Sequence, residues 1–204
     1  MMAKIRSARF RLCFGYLLML SFLTTSCSSL QVPLEPPGFQ SDELMRTSKD
    51  GIDLAAKPIE GTYQNWQLFN ENLPERGIGV VWVILKNKQK ETIDTTRAEW
   101  SLDIGPKKYG PVTASQVLMR YYRQSQVRFY SLKAEEKATE DLQKLAFQLD
   151  SLGSHRESAG FLYFPIEPTR TANWSHKGML RLKGITLGSG QQVAIELPLS
   201  HANP

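Results

Sequence analysis

The chain has 204 residues, 41% of them hydrophobic and 22% charged, which suits one domain with a core and a tail rather than two full domains. Its formal net charge of +5 is local: four of the 25 Lys and Arg (Lys4, Arg6, Arg9, Arg11) lie in the first 11 residues, and residues 1–26 hold no Asp or Glu, so 21 basic face 20 acidic side chains thereafter, a net of +1. So nearly neutral a chain has no long-range field to gather polyanions, which argues against nucleic acid as a partner.

Behind the basic N-terminus, Leu12 to Leu23 (LCFGYLLMLSFL) is an apolar run of 12 residues. A spanning helix needs roughly 20. A basic segment followed by a short apolar run reads as a secretory signal. The two cysteines are Cys13, inside that run, and Cys27, just after it. The part that folds therefore has no internal disulfide and no Cys-based metal site, and no cofactor is expected.

The sequence Leu23-Thr24-Thr25-Ser26-Cys27 resembles the lipobox of bacterial lipoprotein signal peptides, with a small residue, Ser26, before the Cys and Thr24 where Leu is usual. The resemblance implies removal of residues 1–26, acylation of Cys27, and anchoring of the mature chain to a membrane. Two or more acyl chains give stable anchoring where one gives reversible binding. Ser28, rather than Asp, after the Cys implies the outer membrane, facing the periplasm.

Residues 27–50 carry Pro33, Pro36 and Pro37, several serines and no periodic apolar face. They read as a flexible or proline-stiffened tether preceding a domain over 51–204. Asp50-Gly51 signals a turn. Ile52, Leu54 and Ala56 alternate in a strand over about 51–59, and 62–73 reads as a short helical turn around Trp66, Leu68 and Phe69. Residues 77–88 (GIGVVWVILKNK) form the strongest strand, apolar on both faces and so central. Thr92 to Thr96 follows. Ala98, Trp100, Leu102 and Ile104 then alternate with Glu99, Ser101 and Asp103, which predicts a half-buried strand. After the turn at Gly105-Pro106, Tyr109 to Val112 returns.

Residues 114–123 (ASQVLMRYYR) predict a helix capped by Thr113 or Ser115. The spacing of Ala138, Leu142, Leu145, Ala146, Leu149 and Leu152 predicts a second helix over 134–152, ended by Gly153. Strands return at 160–166, where Pro165 implies an edge or a bulge, then around Met179 to Leu187 and Val193 to Leu197. This order predicts a mainly β fold: an antiparallel β-sandwich with a helical insertion at about 114–152. A strand ending in Lys86-Asn87, a second strand, a Gly turn, a helix and a late Gly-aromatic strand resemble the immunoglobulin-like domains of small envelope lipoproteins. That resemblance is structural and carries no catalytic residue.

The chemistry-bearing residues are sparse. His155, His176 and His201 have no partner at metal-ligand spacing. No nucleophile elbow, P-loop or dinucleotide fingerprint occurs. Glu135, Glu136, Glu140 and Asp141 suit the first turns of a helix electrostatically, though paired carboxylates also serve acid–base catalysis. Asn173-Trp174-Ser175 matches a glycosylation acceptor by pattern only. The stretch 117–130 interleaves Arg120, Arg123 and Arg128 with Tyr121, Tyr122, Phe129 and Tyr130. Arg among aromatics suits a contact with protein or glycan, and equally a core face with solvated arginine stems. The candidate interaction patch is Arg120, Tyr121, Tyr122, Arg123 and Arg128. The function expected is a lipid-anchored, non-catalytic module docking on another envelope protein or peptidoglycan. A binder of a small apolar ligand and a hydrolase with a dispersed site are the other readings.

Overall fold

The computed structural model describes residues 30–33, 35–125, 131–171 and 173–200. The chain is mainly β. Its strands are β1 (Met45–Lys49), β2 (Ile52–Pro58), β3 (Gly79–Asn87), β4 (Ile93–Asp94), β5 (Glu99–Ile104), β6 (Lys107–Tyr109), β7 (Ser151–Leu152), β8 (Glu157–Phe164), β9 (Met179–Thr186) and β10 (Gln192–Pro198). Among the described residues three α-helices join them: α1 (Thr62–Phe69), α2 (Ala114–Ser125) and α3 (Leu132–Leu145). Among the described residues every pairing between these strands is antiparallel, and Ala146 adds one isolated parallel bridge to Phe161 of β8.

One sheet runs β1-β2-β3-β8. The other is centred on β9, which pairs with β10 and β5; β6 extends it beyond β5, while the short β4 and β7 continue it beside the end of β9. The period-2 alternation of β3 assigns its faces. Val81, Val83 and Leu85 join Trp100, Leu102, Leu180, Leu182, Val193 and Ile195 in the core between the sheets. Val80, Trp82 and Ile84 point the other way, into a second core with Phe69 of α1, Val117, Leu118 and Tyr121 of α2, and Ala138 and Leu142 of α3. The first sheet is thus buried on both faces, which explains the uninterrupted apolar run of β3. The helices form a third layer over that sheet.

The second predicted helix is shorter than its periodicity suggested. α3 ends at Leu145, and Ala146 turns to extended backbone. Phe147 N–H then donates to Phe161 O at 2.9 Å, on the outer edge of β8. Leu142 and Leu145 belong to the helical side, whereas Phe147, Leu149 and Leu152 pack in the core between the sheets. The chain passes around the sheet edge here. Gly160 allows it, since a Cβ at that position would stand 2.5 Å from Phe147 N and Cα. β8 ends at Phe164, immediately before Pro165, and lies at the edge of its sheet.

Within the segment expected as tether, residues 45–49 are strand β1. Asp50 and Gly51, at φ 49° and 71°, form the two-residue turn of the β1–β2 hairpin, with Lys49 facing Ile52. Upstream, Leu30 is buried, Gln31 N–H donates to Phe69 O at 2.9 Å, and Val32 and Phe39 pack on the helix-side core. Phe39 meets Trp82 edge-on at 6.4 Å, with the Lys57 ammonium 4.4 Å from its ring centre. The leader therefore lies along the domain instead of standing off from it. Its prolines favour an extended path that suits such a strap.

Candidate functional site

Cys27 and Arg128 lie outside the described residues, as do His201, Phe129 and Tyr130. The remaining members of the Arg/aromatic stretch do not form one surface. Arg120 is half-buried and clamps two carbonyls, Nε to Gly77 O and a terminal nitrogen to Ile166 O, both at 2.7 Å. Tyr121 is buried, and its hydroxyl donates to Glu71 Oε2 at 3.1 Å. Burial first, then the Glu71 carboxylate, pushes that phenol up to about 12. Tyr122 is half-buried and stacks edge-on against Tyr121, and of residues 120–123 only Arg123 is exposed. Arg120 and Tyr121 thus fasten α2 to the loop between α1 and β3. Thr113 and Gln116 cap the helix reciprocally: Thr113 N–H donates to Gln116 Oε1 at 2.9 Å and Gln116 N–H to Thr113 Oγ1 at 3.4 Å.

The polar side chains that do converge lie elsewhere. A cleft of about 350 Å³ opens between the leader, the end of β2, the start of α1, the 173–176 turn and the C-terminal segment. Glu43, Lys57, Glu60, Gln64, Asn173, His176 and Ser200 contribute its polar lining. Lys57 ends the apolar run of β2 and is only 7% exposed, so its charge requires a partner. It has one in Glu43, to which it donates a hydrogen bond. That bond holds the Glu43 carboxyl below its ordinary value of 4.5, helped by the Gln40 N–H.

Glu60 is fixed from the opposite wall. Its Oε1 accepts from Ser175 Oγ at 2.5 Å and from Ser175 N–H at 3.1 Å. Trp174 anchors this turn, buried with its indole N–H on Ile59 O at 3.0 Å and its ring packed over Gly79, where a Cβ would stand 2.8 Å from the ring. The Asn-Trp-Ser pattern therefore serves the fold through Trp174 and Ser175, and leaves Asn173 exposed at the cleft. His176 is exposed beside it. The cleft thus presents an ion pair already formed, a carboxylate already bonded and a rim of amide and imidazole groups. This is a lining that can bind polar groups by hydrogen bonds.

The other residues considered from the sequence fall into structural roles. Ser131 caps α3 by accepting from Ala134 N–H at 3.2 Å, and Glu135 lies in its first turn. Asp141 pairs with Lys137 at 2.7 Å and Lys144 at 3.6 Å on the same helix. His155 occupies a left-handed turn position at φ 54°. Among the described residues no group of three or more His, Cys, Asp or Glu could hold a metal, and no helix is long and apolar enough to cross a membrane. Lys57 was the missed signal: a lone ammonium in the run Ile52 to Ile59 implies a partner and a polar site nearby.

The sequence matches no known family profile and no curated protein. Among solved structures, it resembles a Bacillus subtilis protein described as a candidate lipoprotein, with TM-score 0.38 and 10% identity over 76% of this chain. The chain spans 38% of that protein's length. It also resembles a functionally unknown protein from Listeria monocytogenes, with TM-score 0.37 and 12% identity, over 84% of this chain and 82% of the other.

Proposed function

We propose that the protein is a lipid-anchored module of the cell envelope, held through Cys27 on the periplasmic side of the outer membrane, that docks on another envelope protein or on peptidoglycan by a non-catalytic contact. The architecture is read as an immunoglobulin-like sandwich to which a helical layer has been added, a reading supported by two antiparallel sheets sharing one core. The observation that carries the docking reading is the cleft at Lys57 and Glu60. Its charges are neutralised or bonded in advance, and the groups left at its rim, the amides of Gln64 and Asn173 and the imidazole of His176, are hydrogen-bonding ones of the kind that recognise amides and sugar hydroxyls. Such a lining offers a polar partner hydrogen bonds beside the apolar side chains of Met45, Pro58 and Leu199.

Crosslinking in intact cells from a photoreactive residue at Asn173, together with co-sedimentation on purified peptidoglycan, tests this. The expected result is a crosslinked product or sedimentation that Gln64→Ala with His176→Ala weakens at least several-fold. Binding unaffected by both substitutions would overturn the assignment of the cleft.

A further inference from the structure

The described chain begins its packing at Leu30, three residues after the proposed lipid attachment. Three residues reach at most about 11 Å. The segment is pinned at its far end: Leu30 is buried in the helix-side core and Gln31 N–H holds Phe69 O, at the C-terminal end of α1. An anchor at Cys27 therefore holds Leu30 within about 11 Å of Cys27, and the α1 corner, bonded to the next residue through Phe69 O, within roughly 17 Å.

The chemistry of that corner is distinctive. Residues 61–70 (GTYQNWQLFN) contain no charged side chain. Asn65 and Phe69 face inward and are buried. Tyr63 and Trp66, one helical step apart on the outer face, are 73% and 42% exposed. Trp66 is one turn of helix from the pinned end and Tyr63 about one turn further, roughly 5 Å and 10 Å along the axis. Of the four tryptophans, the other three (Trp82, Trp100, Trp174) are buried. Trp and Tyr on an uncharged face suit the layer between hydrocarbon and water, where the ring is partly buried and its N–H or O–H stays hydrated. That layer is about 5–7 Å deep on each side of the bilayer.

We propose that the outer face of α1, through Tyr63 and Trp66, is a membrane-contact surface that rests in the headgroup layer of the bilayer holding Cys27. The proposal rests on Cys27 being the anchor. It makes the domain membrane-apposed, with the leader acting as a strap rather than a spacer.

The test uses the protein purified from membranes with its anchor in place and reinserted into phosphatidylethanolamine–phosphatidylglycerol vesicles brominated near the top of the acyl chains. The mass of the N-terminal peptide reads the anchor separately. The expected result is an acylated Cys27 and a loss of tryptophan emission, relative to unbrominated vesicles, that Trp66→Phe abolishes. Thermal unfolding of Trp66→Phe unchanged from wild type excludes a folding defect. An acylated protein whose emission ignores the bromines overturns the contact while leaving the anchor intact. An unmodified Cys27 overturns both readings. A photoreactive residue at Gln67 that captures a protein in cells, with no bromine quenching in vesicles, assigns the face to a protein instead and also overturns the proposal.

Discussion

Replacing Asn87 by Ala removes one side chain and unsettles three segments. Asn87 closes β3, fully buried, and its Nδ2 donates to Glu91 O at 2.7 Å, Leu152 O at 3.0 Å and Gly153 O at 3.1 Å. Its Oδ1 accepts from Gln89 N–H at 2.9 Å. Two amide protons serve three carbonyls, so one proton is shared. Each neutral bond contributes about 1 kcal/mol net, and a buried acceptor left without a donor costs about 1–3 kcal/mol. The Leu152 carbonyl is in the buried position, while the other two are partly open to water. Asn87→Ala is therefore expected to cost about 2–4 kcal/mol, or about 5–15 °C in Tm for a domain of this size. Asn87→Asp is expected to be worse at neutral pH, because a carboxylate would face carbonyl oxygens with no proton to offer. The gap to Ala should narrow in acid as that carboxyl gains one. Urea unfolding read by intrinsic fluorescence, with the m-value checked for constancy, measures both. A cost for Asn87→Ala below about 0.5 kcal/mol, or an Asp variant as stable as the Ala variant at neutral pH, would refute the keystone role.

Two further outcomes follow from the geometry. Gly160→Ala should destabilise by about 2–4 kcal/mol, at the upper part of the overpacking range because the obstacle is Phe147 backbone, and Phe147 should lose amide-exchange protection first; an unchanged Tm would contradict the close crossing. The Glu43–Lys57 pair should fasten the leader strap only above acid pH. The folded Glu43 value is depressed from 4.5, so its stabilisation is present above that pH and lost as pH falls through the lowered value. Amide exchange in β1 should accelerate there relative to β3, and Glu43→Gln should remove that acid dependence; an identical acid response in both proteins would contradict it.

The strands with both faces or one face buried were legible because burial imposes a period. β3 reads as central from its apolar run, and β5 as half-buried from Trp100 and Leu102 alternating with Glu99 and Asp103. β1 was not legible, since an edge strand of sequence Met-Arg-Thr-Ser-Lys buries almost nothing; its one signature was the Asp50-Gly51 turn, which implies a strand on each side. The end of α3 was hidden by coincidence. Leu149 and Leu152 fall on the helical period yet pack on the opposite side of the sheet from Leu142, because the chain turns the edge at Ala146. The Arg/aromatic stretch looked like a surface because sequence alone does not reveal where Gly77 O, Ile166 O and Glu71 lie. Those groups, distant in sequence, draw Arg120 and Tyr121 inward. The cleft was invisible for the same reason, being assembled from residues 43, 57, 60, 64, 173 and 176.

The anchor at Cys27 is the claim on which the functional reading stands, and mass spectrometry of the N-terminal peptide from the membrane-extracted protein tests it most directly. The expected peptide begins at Cys27, with a diacylglycerol thioether on its sulfur and an acyl chain on its amine. A peptide with an unmodified Cys27, or one that retains residues 1–26, would contradict it.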